Sequence, residues 1–189
     1  TGVLINNTRD YHRYLGGSPA NVAMNSARLG LKSIMVATVG DDGFGEYIFE
    51  RLGEVGVNTN YINKINDKPT SVIFVSRTDS TPDFIPFRKA DSCIIEDQIS
   101  KDLLSKINIF HTTCFALSKN PAQATILKKA EEAYNLGCKL SIDVNYAKKL
   151  WKSQQDALKV IKAYCKFNPL VKISEDDMLR LFEQKLPHK

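Results

Sequence analysis

Apolar positions along this chain keep two rhythms, a period near two in short runs and a period near 3.6 in longer ones. Residues 33–39 are an apolar run that predicts a strand, ending in Gly40-Asp41-Asp42-Gly43. On either side the helical rhythm holds. A helix is expected over 19–29, with Ala20, Ala23 and Ala27 on one side and Gly30 as its stop. A second is expected over about 44–54, ending near Gly56. Val3-Leu4-Ile5 is a short apolar run, and residues 11–15 read as a strand leading into Gly16 and Gly17. The middle is different. Residues 70–77 are β-branched, 84–88 alternate weakly around Pro86, and Ser80-Thr81-Pro82-Asp83 is a turn between them. Lid-like strands at about 11–15, 70–77 and 84–88 would form a small sheet of their own.

From residue 99 on, helices and strands alternate. Helices are expected over 99–107, after Asn120-Pro121 with Ile126, Ala130 and Tyr134 on one face, after Ser153 with Ala157, Leu158, Ile161 and Cys165, and after Ser174 with Met178, Leu179 and Phe182. Strands fall between them at 109–114, 139–144 and 170–173, and Gly137 closes the second helix. The fold class implied is α/β, a parallel sheet with helices on both faces plus the small sheet, in one domain over residues 1–189.

The segment Gly16-Gly17-Ser18-Pro19-Ala20-Asn21 concentrates candidate chemistry. Two glycines allow a tight turn and a ligand against bare main chain. Ser18 is expected as N-cap and Pro19 as the first helical residue. The free N–H groups that follow, and the Asn21 amide, suit a hydroxyl-rich ligand. In open parallel sheets ligands bind beyond the carboxyl ends of strands. Asp41 and Asp42, Thr112 and Thr113, Asp143 and Asn145, and Ser174 to Asp177 all fall at such ends. Two of these clusters also have plain structural readings. Gly40-Asp41-Asp42-Gly43 reads as a strand-to-helix turn, and Ser174-Glu175-Asp176-Asp177 as a capping box with acids favouring the helix dipole. Arg88 reads equally as a surface arginine on an edge strand.

Composition narrows the classes. The chain has 189 residues, 43% hydrophobic and 25% charged, with a formal charge of +5, which suits a globular domain. Its lysines are scattered, and Lys159, Lys162 and Lys166 lie on one solvated helix face, so a nucleic-acid stripe lacks support. Four cysteines without a C-x-x-C pair read as free thiols of a reducing cytoplasm. Three histidines show no metal-ligand spacing, and no stretch is apolar enough to predict a membrane span. The two commonest nucleotide fingerprints, GxxxxGK[ST] and GxGxxG, are absent.

Gly16-Gly17-Ser18-Pro19-Ala20-Asn21-Val22-Ala23, Ala27-Arg28-Leu29-Gly30, Val39-Gly40-Asp41-Asp42-x-x-Gly45 and Leu52-x-x-x-Gly56-Val57 follow in the order of the N-terminal signature that they resemble, that of the PfkB (ribokinase-like) sugar kinases. Thr81-Pro82-Asp83-Phe84 with Arg88-Lys89-Ala90-Asp91 resembles the fructokinase group. Ile142-Asp143-Val144-Asn145-Tyr146 with Leu150-Trp151 is similar to a segment of fructokinases and 2-keto-3-deoxygluconate kinases. Lys172-Ile173-Ser174 with Asp177 resembles the family's metal and phosphate motif. The resemblance implies a ribokinase-like fold with a β-sheet lid, and transfer of the γ-phosphate of MgATP to a sugar hydroxyl. It implies that Gly16, Gly17 and Asn21 hold sugar hydroxyls, that Arg88 contacts the sugar from the lid, and that Asp143 and Asn145 border the sugar and phosphate region. It assigns Lys172, Ser174 and Asp177 to the ATP side, with Asp177 organising Mg²⁺-bound water. A homodimer through the lid sheet is also in keeping with it.

The chain departs from the family pattern in three places. The D-T-x-G-A-G-D signature, which carries the catalytic base and anion hole, is absent from residues 1–189, so no catalytic residue is expected here. The expectation is a truncated domain, inactive by itself. Ala147 stands where acid-sugar kinases place an arginine, with Lys148 and Lys149 beside it. Ile5 runs into Asn6-Asn7-Thr8 with little room for the sugar-binding connection that normally follows the first strand, so missing residues are expected there. Fructokinase is the leading reading. A 2-keto-3-deoxygluconate or related acid-sugar kinase, and a non-catalytic sugar-binding or partner-binding module, are the alternatives.

Overall fold

A computed structural model describes residues 5–76 and 83–183. The expected positions Val3, Leu4, Arg77, Ser80, Thr81 and Pro82 lie outside the described residues. The chain divides into two compact units, Thr1–Asp91 and Ser92–Lys189.

In the first unit, helix α1 spans Ser18–Arg28 and strand β1 Ile34–Gly40. Helix α2 spans Gly43–Gly53 and strand β2 Asn58–Ile65. A hairpin of β3 (Val72–Ser76) and β4 (Asp83–Phe87) follows. Strands β1 and β2 pair in parallel, from Val36 opposite Tyr61 to Gly40 opposite Ile65, and α2 is the crossover that parallel pairing requires. The small-residue face of α1 packs as expected. Ala20 and Ala23 are buried with Val39, Leu52, Val57 and Ile62, and Ala27 packs beside them.

Three features differ from the expectations. Strand β2 was not legible, because Asn58, Asn60, Asn63 and Lys64 dilute its apolar signal and asparagine disfavours strands. Residues 11–15 form no strand. That segment meets the hairpin through a side chain, the Tyr11 ring standing edge-on to Phe74 at 5.0 Å, without a ladder. The N-cap of α1 is Gly17, not Ser18, since Gly17 takes φ 96°, a conformation open to glycine, and the helix starts one residue early.

In the second unit, strands β5 (Ile109–Thr113), β6 (Lys139–Asp143) and β7 (Leu170–Lys172) form a parallel sheet in sequence order. Helices α3 (Lys101–Ser105), α4 (Ala122–Asn135), α5 (Gln154–Cys165) and α6 (Glu175–Phe182) alternate with them. Helix α3 is shorter than expected, because Ser100 caps it by accepting from Leu103 N–H at 3.1 Å. Ser153 and Ser174 cap α5 and α6 as the sequence predicts. Cys114, Val144, Tyr146, Ala157, Ile161 and Leu181 form a core packed by Trp151. Fully buried Tyr164 donates its hydroxyl to the Ser141 carbonyl at 3.2 Å, so its polar tip is satisfied.

Candidate functional site

In the first unit, Gly16, Gly17 and Asn21 are exposed where α1 begins. The Asn21 N–H is already taken by the Gly17 carbonyl at 3.0 Å, so its side chain and the exposed main chain remain the groups a ligand would meet. An added Cβ at Gly16 or Gly17 would meet nothing within 4 Å, so open space lies over both.

The Gly40-Asp41-Asp42-Gly43 turn has a structural role. The Asp42 carboxylate caps α2, Oδ1 accepting from Phe44 N–H at 3.0 Å and Gly45 N–H at 2.9 Å. Its Oδ2 accepts from Thr70 N–H at 2.7 Å, just before β3. Thr70 Oγ1 completes the link by accepting from Gly40 N–H at 2.9 Å. Partial burial pushes the Asp42 pKa up, but the N–H donors of Thr70, Gly45 and Phe44 outweigh it and hold the carboxyl below its ordinary value. Gly40 of this turn and Gly45 just beyond it are needed for space, whereas a Cβ on Gly43 would meet nothing within 4 Å. A Cβ on Gly40 would lie 2.5 Å from Thr70 N and 2.8 Å from Lys68 O, and one on Gly45 would overlap the Gly40 carbonyl. Asp41, Asp42, Ile65, Asp67, Lys68 and Pro69 border a shallow cleft of about 290 Å³ here, joined by Asn66.

Arg88 is not a surface arginine. Its side chain is 8% exposed and lies against Asp91, Oδ2 accepting from Nε at 2.8 Å and Nη2 at 2.5 Å.

In the second unit, Asp143 ends β6 and Lys172 ends β7 directly opposite, with Nζ and Oδ1 2.9 Å apart. The bond to Asp143 raises the Lys172 pKa against desolvation, and its ammonium stays largely exposed. Asn145 follows with φ 30°, a left-handed conformation that asparagine tolerates, and is exposed while its neighbours Val144 and Tyr146 are buried. Asp177 is 3% exposed with both oxygens engaged. Oδ1 accepts from Tyr146 N–H at 2.6 Å, and Oδ2 from Ser174 N–H at 3.0 Å and Ser174 Oγ at 2.6 Å. The capping box expected at Ser174 therefore also ties the Asn145–Tyr146 loop to α6.

Sequence reasoning missed His111, which lies opposite Ser141 in the sheet and shares a 2.6 Å hydrogen bond through Nδ1. Burial lowers its pKa below 6.5, and Asp143 opposes the shift. Only the strand register, invisible in the sequence, brings these residues together. Desolvation first, then the charge of Asp177, pushes the Cys114 thiol up to about 12, so it is inert at neutral pH.

Lys172 carries an exposed ammonium, paired with Asp143, two residues before the Ser174 cap of α6, whose first turn adds Glu175, Asp176 and Asp177. Among the described residues no group of three or more histidine, cysteine, aspartate or glutamate side chains is placed to hold a metal ion. Nor is any described helix long and apolar enough to cross a membrane.

The model of the pfkB family of carbohydrate kinases matches residues 1–189. The chain is 33% identical over 177 residues to an ATP-dependent 6-phosphofructokinase of Thermoanaerobacterium thermosaccharolyticum, covering 94% of this chain and 55% of that one. It is 33% identical over 180 residues to a probable fructokinase of Arabidopsis thaliana, covering 94% and 52%. Among solved structures, an uncharacterized sugar kinase of Pyrococcus horikoshii, solved also in complex with ATP, superposes with a TM-score of 0.90 at 30% identity, over 97% of this chain and 60% of that one. The fructokinase of Halothermothrix orenii gives 0.86 at 32%, over 96% and 65%. The chain thus spans about half the length of the curated relatives it matches.

Proposed function

The chain belongs to the pfkB family of carbohydrate kinases, and from that premise we propose that the protein carrying it transfers the γ-phosphate of MgATP to a sugar hydroxyl, with fructose as acceptor. The observation that carries the reading is the glycine-lined start of α1, where Gly16, Gly17 and Asn21 present open main chain and an exposed amide. In this reading they hold sugar hydroxyls and Arg88 meets the sugar from the hairpin. Asp143 and Asn145 border the sugar and phosphates, while Lys172 and Ser174 face the phosphates. Asp177 has both oxygens engaged, so it reaches a metal-bound water only by sharing one of those bonds, and its role is to hold Ser174 and the Tyr146 loop. Magnesium, carried on the nucleotide, would neutralise phosphate charge.

Phosphoryl transfer relies on positioning and charge neutralisation more than on covalent chemistry. These residues supply positioning, and the hairpin supplies a cover against water. The catalytic base and anion hole belong to the D-T-x-G-A-G-D signature, which residues 1–189 do not contain, so on this reading they bind sugar without turning it over. Ala147, which offers no cation, disfavours an acid sugar. Fructose 6-phosphate is a second reading, favoured by the 6-phosphofructokinase relative and by exposed Lys148 and Lys149 close after Asn145. A lid-to-lid homodimer is in keeping with exposed Ile73, Val75, Ile85 and Phe87 on the hairpin. Four free cysteines suit the cytoplasm.

Calorimetry of the chain with fructose, fructose 6-phosphate and 2-keto-3-deoxygluconate tests the reading. Saturable binding of fructose, abolished by Asn21→Ala, is expected. Tighter binding of either anionic sugar would replace fructose, and silence with all three would remove the sugar site.

A further inference from the structure

In the segment Arg88-Lys89-Ala90-Asp91, the carboxylate has no assigned role. Asp91 lies at the root of the β3–β4 hairpin and grips both of its ends. Oδ2 takes Arg88 Nε and Nη2, while Oδ1 accepts from Ser71 Oγ at 2.5 Å. Ser71, the residue before β3, accepts in turn from the N–H groups of Lys89 at 2.8 Å and Asp91 at 3.2 Å. A backbone bond from Ala90 N–H to Pro69 O at 3.3 Å closes the same junction. The result is a compact polar clasp in which one serine and one carboxylate are each used several times.

A guanidinium with only 8% exposure requires a counter-charge. A carboxylate on the Nε–Nη2 edge also fixes the plane of the group, which a point contact would not do. We propose that Asp91, itself held by Ser71, is a positioning residue that aims the Arg88 guanidinium from the hairpin at the substrate. The proposal rests on the reading of Arg88 as a sugar contact. Asp91 acts through Arg88 and needs no contact with the sugar. A clasp that merely joined the two strand roots would leave sugar affinity untouched once the fold is intact, and this separates the two roles.

The test uses the purified chain with Asp91→Asn, Asp91→Glu and Ser71→Ala, and two readouts. The first is the NMR signal of the Arg88 Nε–H, assigned by its loss in Arg88→Lys. The second is fructose affinity by calorimetry. Expected are an exchange-protected Arg88 signal in the unsubstituted chain and its loss in Asp91→Asn. Fructose affinity should fall about tenfold in Asp91→Asn, with unchanged circular dichroism, and recover partly in Asp91→Glu. Ser71→Ala, which removes no charge, should show a smaller shift of the same kind, and keeps the test open if Asp91→Asn does not fold. An Arg88 signal that stays protected in Asp91→Asn overturns the proposal, as does its loss with affinity unchanged. A chain that binds no sugar even unsubstituted overturns the site reading, and the Arg88 signal still decides whether Asp91 orients the guanidinium.

Discussion

Replacing Asp42 by alanine should detach the Gly40-Asp41-Asp42-Gly43 turn from the root of the hairpin. The carboxylate accepts three backbone N–H groups. Those of Phe44 and Gly45 are the N-cap of α2, and replacing such a cap by alanine costs about 1 kcal/mol. The third, from Thr70, is different, because Thr70 is 7% exposed. Leaving a buried N–H without its charged acceptor costs about 1–3 kcal/mol more. The sum is about 2–4 kcal/mol, which lowers the melting midpoint by on the order of 10 °C. Asp42→Asn retains one carbonyl oxygen for the cap and should lose about half as much. Acidity gives a second handle. The folded pKa of Asp42 lies below 3.8, so its stabilisation is complete above that value and is lost as pH falls through the folded one. Asp42→Ala should lack this acid-side loss. Thermal melts and amide hydrogen exchange at Thr70 measure both effects. An Asp42→Ala chain that melts within about 1 °C of the unsubstituted one, with Thr70 N–H still protected, would show that the Asp42 carboxylate does not hold the turn to the hairpin root.

Gly45→Ala should destabilise by at least about 2 kcal/mol, since its methyl would overlap the Gly40 carbonyl, whereas Gly53→Ala, in open space on the same helix, should be neutral or stabilising in the same melts. His111 should titrate below 6.5 by NMR. Because the unfolded chain then binds more protons, its stabilisation is complete above 6.5 and lost as pH falls through the lowered folded value, and a stability–pH curve of His111→Phe should lack that slope. Ser174→Ala removes the cap of α6 and a partner of Asp177, and urea unfolding should show a loss of about 1–2 kcal/mol. Cys114 should resist thiol reagents at pH 8, while partly buried Cys93 reacts first, as mass spectrometry of labelled peptides would show.

Much of the fold was legible because its elements carry strong local signals. The alanine face of α1, the serine caps at Ser153 and Ser174, and the apolar run of β1 each announce one element. Strand β2 was hidden because its pairing with β1 comes from tertiary contact, with only Ile62 fully buried among polar neighbours. Residues 11–15 depart from the strand expected of them because no ladder partner is at hand, and the segment meets the hairpin through the Tyr11 ring. The candidate site residues stand out in the sequence as motif letters, but their mutual bonds do not. Nothing in the sequence says that Thr70 closes the Asp42 turn, that Asp91 holds Arg88, or that Asp177 reaches the Tyr146 amide. Those links join positions 28, 3 and 31 residues apart, and only the folded chain sets their geometry.

We propose that this region forms the acceptor side of a sugar kinase. The most direct test is transfer of labelled γ-phosphate from MgATP, by the protein that joins this region to a D-T-x-G-A-G-D signature, to fructose and a panel of other sugars. Expected are labelled sugar phosphate, fructose ahead of acid sugars, and a sharp loss of transfer in Asn21→Ala. Transfer to water alone, or sugar phosphorylation indifferent to Asn21→Ala, would contradict the proposal.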